Sequence, residues 1–225
     1  MSCFVQHAAN WRPYGGSSVA RKCRFFASVG SRGSRLAVIG LGNPGNEFRS
    51  TRHNVGFDII EAFAQRHGGN MKMAQKYLAE MCEIKLENKT VMLVKPMTFM
   101  NLSGTSVRKI VDFYKLPHDA ILIVADDIYL ELGRVRLRAK GSSGGHNGLK
   151  HIEKSLGTQI YPRLKVGVGG PNKADLKDYV LGKFKRSEVD AVDDMLWTCV
   201  ELIDEWVKNA DLSKVVNNVI NNTKS

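Results

Sequence analysis

Arg35-Leu36-Ala37-Val38-Ile39-Gly40 is apolar through its middle and ends in glycine. Such a short run reads as a strand buried on both faces, not as one that alternates between core and water. Residues 120–125 and 164–168 repeat the pattern. Strands of this kind need helices above and below them, and the chain supplies four helical segments. The first spans about residues 54–67, with Val55, Ile59, Ala62 and Phe63 on one face and Gly68-Gly69 as its stop. The second spans about 103–114 and is closed by Pro117. The third opens from a glycine-rich loop and runs to about 156. The fourth is long, about 187–209, with Val189, Val192, Met195, Leu196 and Trp197 as its core stripe. Residues 80–86 and 91–94 form a hairpin around Glu87-Asn88-Lys89. Arg134-Val135-Arg136-Leu137-Arg138 alternates with period two, one face apolar and the other basic. Strands alternating with helices predict a single-domain three-layer α/β/α sandwich, its central sheet mixed but mostly parallel.

The chain has 225 residues and a formal net charge of +11. An excess of that size points to an anionic partner, nucleic acid being the commonest. It is unevenly placed. Residues 1–35 hold six basic groups and no acid, so of 33 basic groups 27 remain against 22 acidic ones in the rest. The first 34 residues are rich in Arg and Ser, with Phe4, Trp11, Phe25 and Phe26 interspersed and no long apolar stretch. They read as an organelle transit peptide, mitochondrial ahead of plastid, or as a basic tail on a cytoplasmic protein that helps hold RNA. The domain is expected over 35–210, followed by an Asn-rich tail over 211–225. Cys3, Cys23, Cys82 and Cys199 lie far apart and match no zinc or disulfide spacing. No apolar run is long enough to span a membrane.

Gly40-Leu41-Gly42-Asn43-Pro44-Gly45 spells GxGxxG after a strand, so a dinucleotide site must be weighed. Pro44 lacks the N–H that a pyrophosphate-binding turn uses. Residues 46–52 also separate the last glycine from the helix, and the acidic partner would fall at Glu61, inside a helix. An active-site loop fits better, because open α/β sheets place ligands past the C-terminal ends of their strands. Thr51-Arg52-His53-Asn54 then starts a helix, where the dipole favours a neutral histidine, suited to a base. Lys95-Pro96-Met97-Thr98-Phe99-Met100-Asn101-Leu102-Ser103-Gly104 also joins a strand to a helix. There Asn101 or Ser103 could simply be a cap. Asp126-Asp127 ends a strand, where a carboxylate could hold the second nitrogen of a histidine. Gly141-Ser142-Ser143-Gly144-Gly145-His146-Asn147-Gly148 is a glycine-rich loop without the lysine of a P-loop. Arg134, Arg136, Arg138 and Lys140 precede it, and Lys150, Arg163 and Lys165 follow. Each residue taken alone has a bland reading as a cap or a solvated group. Three asparagines, one histidine and one aspartate at the same kind of junction do not look accidental.

In order and spacing from about Arg35 to Lys208, these segments resemble the bacterial-type peptidyl-tRNA hydrolase family. Arg163-Leu164-Lys165-Val166-Gly167-Val168-Gly169 and Tyr179-Val180-Leu181-Gly182-Lys183-Phe184 agree as well. The resemblance implies hydrolysis of the ester joining a peptide to the 3′ end of tRNA, recycling peptidyl-tRNA shed early by ribosomes. It implies His53 as general base, Asp126 as its orienting carboxylate, and Asn43 as the residue that tells N-blocked from free aminoacyl groups. Phe48, Phe99, Asn101, His146 and Asn147 would contact the peptidyl-tRNA, and Arg138 and Lys165 would clamp its 5′ phosphate. No metal, other cofactor or membrane is expected, and the chain would be a monomer. Tyr129, Ser142 and Gly170 depart from residues common in the family. An alternative is an idle RNA-binding relative that assists splicing on the same scaffold, but the intact set of site residues argues against it. A general esterase or an aminopeptidase-like enzyme is disfavoured by the basic groups near the loop.

Overall fold

The computed structural model describes residues 35–170 and 175–209. The expected leader and the Asn-rich tail lie outside the described residues. The strands are β1 (Arg35–Gly40), β2 (Lys72–Ala74), β3 (Ala79–Leu86), β4 (Lys89–Pro96), β5 (Ile121–Asp127), β6 (Val135–Lys140) and β7 (Ile160–Gly167). The helices are α1 (Val55–Arg66), α2 (Ser103–Tyr114), α3 (Asn147–Leu156), α4 (Leu176–Leu181) and α5 (Val189–Asn209). The strands make one sheet in the order β2-β3-β4-β1-β5-β7-β6. The four central strands are mutually parallel, while β2, β3 and β6 pair antiparallel. The mixed sheet expected from the sequence is present, with its parallel strands at the centre.

Alternation along each central strand sorts its side chains into two cores. Leu36, Val38, Val91, Leu93, Leu122, Val124, Leu164 and Val166 face α1 and α5. Ala37, Ile39, Met92, Val94, Ile121, Ile123 and Tyr161 face α2 and α3. The layers are therefore α/β/α. Phe63 at 0% and Trp206 at 1% exposure anchor the first core. Truncating either to Ala should cost about 3–5 kcal/mol.

Three local expectations need correction. Trp197 does not belong to the α5 stripe: it is 41% exposed, and the buried line runs through Val192, Met195, Cys199, Ile203 and Trp206. That is the line a 3.6-residue period draws, and Trp197 falls off it. The long helix begins at Val189 after a separate 3-10 turn, Arg186–Glu188. Strand β7 starts four residues before the apolar run, because Ile160 pairs with Lys140 and Arg163 with both Arg138 and Ile123. Pro162 cannot donate to the ladder, and it sits where the β6–β7 register slips between Arg138 and Lys140.

The connection out of β1 leads to β4 on one side, and the chain then returns past β1 to β5 on the other. Such a reversal opens a crevice at the C-terminal ends of the strands. Gly56, in the first turn of α1, lies directly on that sheet edge. A Cβ there would come within 2.5–2.8 Å of Leu41 O, Leu41 N and Val124 O, so only glycine lets the helix settle. The turn before it, which carries His53, is thereby pressed against the end of β5.

Candidate active site

His53 sits in a 3-10 turn, Arg52–Asn54, that leads into α1. Its Nδ1 lies 2.8 Å from Asp126 Oδ1, at the end of β5. His146 Nε2 reaches the same oxygen at 2.9 Å. The side chains are 12%, 3% and 8% exposed for His53, Asp126 and His146. The two rings stand 5.0 Å apart, tilted by 46°. His146 Nδ1 accepts the Leu149 N–H at 3.2 Å, which makes this ring the cap of α3. That bond puts the His146 proton on Nε2, so the ring donates to Asp126. His53 likewise donates from Nδ1, leaving its Nε2 lone pair available to take a proton. Burial by itself would raise the Asp126 carboxyl. The electrostatic pull and hydrogen bonds of the His146 and His53 rings outweigh it and hold the group well below the ordinary carboxylate range. A carboxylate that stays ionised stabilises the imidazolium without taking its proton.

Among the described residues, these three offer metal-type ligand atoms within 4.8 Å of one another. Around a tetrahedral zinc with bonds of about 2.0–2.1 Å, ligand atoms stand about 3.3 Å apart. The closer N–O separations here are those of proton-bridged pairs.

Of the expected asparagines, Asn43 is tied to the His53 turn through Asn54. Asn54 spans to Asn43 twice: its Oδ1 accepts the Asn43 N–H and its Nδ2 donates to Asn43 O, each at 2.9 Å. Asn43 Oδ1 in turn accepts the Met100 N–H at 2.8 Å. Its acceptor is thus occupied, and the Nδ2 donors are what it can offer a substrate. Asn101 follows Met100 in a 3-10 turn and is exposed, as is Asn147 at the start of α3. No side chain caps α2, so neither Asn101 nor Ser103 has that role. Phe99 is 56% exposed, and Phe48 is half-buried beyond the Asn43 loop. The GxGxxG match forms no nucleotide cradle, because Asn43 is bound to Asn54 and Met100, and α1 begins only at Val55.

The basic groups divide sharply. Arg136 pairs in register with Lys165, and Arg138 with Arg163, so these side chains share one face of the β6 edge. Arg136, Arg138 and Lys140 are exposed. Arg163 is not a surface group. It is 1% exposed, 3.5 Å from Glu153, and it donates to Ser142 O and Gln159 O, which holds the glycine-rich loop. Lys165 is 16% exposed and lies 3.0 Å from Asp127 Oδ2.

Comparison with known proteins points to one family. The family model for peptidyl-tRNA hydrolase matches residues 37–225. The chain belongs to the peptidyl-tRNA hydrolase family. A peptidyl-tRNA hydrolase of Clostridium perfringens is 46% identical over 175 residues, covering 77% of this chain and 92% of that one. One from Ligilactobacillus salivarius is 39% identical over 180 residues, covering 80% and 97%. The crystal structure of peptidyl-tRNA hydrolase from Acinetobacter baumannii matches with a TM-score of 0.78 at 32% identity, over 84% of this chain and 97% of that one.

Two supports of this candidate site went unseen in the sequence. Arg52, next to His53, is 3% exposed. Its guanidinium holds both Glu188 oxygens at 2.9 and 2.7 Å, donates to Lys183 O, and stacks at 4.6 and 4.8 Å on Tyr179 and Phe184. It fastens the α4–α5 junction to the turn that carries His53. Lys95, ahead of the Asn101 loop, is buried between Glu61 and Glu80, the latter at 2.7 Å. Both cations stand in motif segments, but their partners lie far along the chain, where spacing gives no signal. Of the departures from the family pattern, Tyr129 is 75% exposed with its N–H on Asp127 Oδ1 at 2.8 Å, and Ser142 offers its carbonyl to Arg163.

Proposed function

We infer that this chain hydrolyses the ester between an N-blocked peptidyl group and the 3′ end of tRNA, returning stalled peptidyl-tRNA to use. The observation that carries the reading is His53, braced through Nδ1 by an ionised Asp126 with Nε2 left as the free base. Water losing its proton to that nitrogen would attack the ester carbonyl, the imidazolium being stabilised by Asp126. Amide donors from Asn43, Asn101 and Asn147 would hold the acyl group and the developing oxyanion. Arg138 and Lys165 would meet tRNA phosphate, which positions the RNA without reading its sequence. The test is release of labelled N-acetyl-aminoacyl-tRNA by purified protein, beside the unacetylated form. Fast release of the acetylated form alone supports the reading, and equal rates reject the role of Asn43 in discrimination.

The acid-free leader further supports a mitochondrial address. Residues 1–34 fused to a fluorescent protein should label mitochondria, and a diffuse signal would reject the assignment.

A further inference from the structure

Adjacent aspartates at the end of β5 point to opposite faces of the sheet. Asp126 takes the histidines, and Asp127 takes Lys165. Exposed Arg136, Arg138 and Lys140 make no ion pair among the described residues, whereas the Lys165 ammonium already has a counter-ion 3.0 Å away. The other oxygen of Asp127 accepts the Tyr129 N–H at 2.8 Å, so the carboxylate keeps a donor when the lysine leaves. The glycine-rich loop crosses over this pair. A Cβ at Gly144, where φ is +61°, would stand 3.1 Å from the ammonium.

We propose that Asp127 is a built-in, displaceable counter-ion: it holds Lys165 in the absence of RNA, yields it to a tRNA phosphate, and recaptures it as deacylated tRNA departs. The proposal rests on the reading of this edge as the tRNA-contacting surface. A terminal phosphate carries about −1.5 to −2 charge and three acceptor oxygens, so it outcompetes a carboxylate of −1. The exchange gives back less than the full lysine–phosphate attraction, because Asp127 is left nearly buried with one hydrogen bond. Substrate and product carry the same phosphate. Binding both more tightly lowers KM without helping the chemical step and slows product release. Asp127 is thus a positioning residue that acts through Lys165 to hold tRNA affinity down.

Salt separates this role from a merely structural one. A free cation that neutralises a phosphate contributes about 0.7–0.9 to the slope of log affinity against log salt. The Lys165–Asp127 pair has no net charge and should contribute far less. The experiment is equilibrium binding of 5′-phosphorylated deacylated tRNA between about 50 and 200 mM salt. Asp127→Asn should bind several-fold tighter, with the slope steeper by up to about one. Its multiple-turnover rate should fall relative to its single-turnover rate. Lys165→Ala added to Asp127→Asn should abolish the gain. Unchanged or weaker binding by folded Asp127→Asn, with an unchanged slope, overturns the proposal. Should that variant not fold, Lys165→Ala alone decides. Weakened binding with a nearly unchanged slope supports the counter-ion, and loss of a full unit overturns it. Arg138→Ala with wild-type affinity would remove the tRNA reading of the whole edge, and the proposal with it.

Discussion

The histidine pocket and the β6 edge handle charge in opposite ways. In the pocket three ionisable side chains are nearly buried, and all share one carboxylate oxygen at 2.8 and 2.9 Å. At the edge Arg136, Arg138 and Lys140 stand in water, held only by the strand beneath them. Proton transfer needs atoms placed to tenths of an ångström, so its groups are braced through backbone and helix caps. Attraction to a polyanion needs charge near a surface and tolerates loose side chains. The first region should govern turnover, and the second should govern affinity and its salt dependence.

The sharpest way to break this division is His53→Ala. It should lower single-turnover release of N-acetyl-aminoacyl-tRNA by about 10²–10⁴-fold. Equilibrium tRNA binding and its salt slope should stay within a factor of two. A matching loss of binding would erase the distinction between the regions. His146→Asn tests the pocket more finely. Asparagine is a good helix cap, so the start of α3 should keep its stability while the bond to Asp126 is lost. We expect about a tenfold fall in kcat with an unchanged melting temperature, whereas His146→Ala should also lose about 1 kcal/mol of stability. At the edge, Arg138→Ala should raise KM several-fold and flatten the salt slope by about one. A fall confined to kcat would place Arg138 in the pocket after all.

The smallest effect on turnover belongs to neither region. Partly buried Asp58 on α1 is pushed up to about 7 by burial and the Glu61 charge, against Lys95. A folded-state value above the unfolded one means its stabilisation is complete below about pH 4 and lost as pH rises toward 7. Asp58→Asn should therefore narrow the stability gap between pH 5 and pH 8 by up to about 2–3 kcal/mol in urea unfolding. Asp126 is shifted the other way. Its contribution is present above the ordinary carboxyl range and is lost only in stronger acid.

The layers were legible because β1 and β5 are apolar on both faces, a pattern that depends on neighbours in sequence alone. Strand β2 was not, since its three residues include exposed Lys72 and Met73 and show no period. Nor was α4, which buries none of its residues. In the site, His53, Asn43, Asn101, Asp126 and Asn147 stood out through their place at strand ends. What spacing could not show was partnership. His146 meets Asp126 from the far side of the glycine-rich loop, Lys165 answers Asp127 from the neighbouring strand, and Arg52 finds Glu188 late in the chain. Arg163 is the same case, since nothing near it in sequence shows that Glu153 lies against it.

The paired bonds between Asn54 and Asn43 have a consequence for watching this site in solution. The Asn54 carboxamide acts there as a stand-in peptide unit, closing a two-bond rung with the Asn43 backbone. The Asn43 amide hydrogen consequently sits in a loop but is protected like one in a strand. Its exchange with deuterium should be slow while the base and the Asn43 loop remain joined, and should quicken in step with local opening. One backbone proton would then serve as a gauge of whether the catalytic corner is assembled, readable without substrate or turnover.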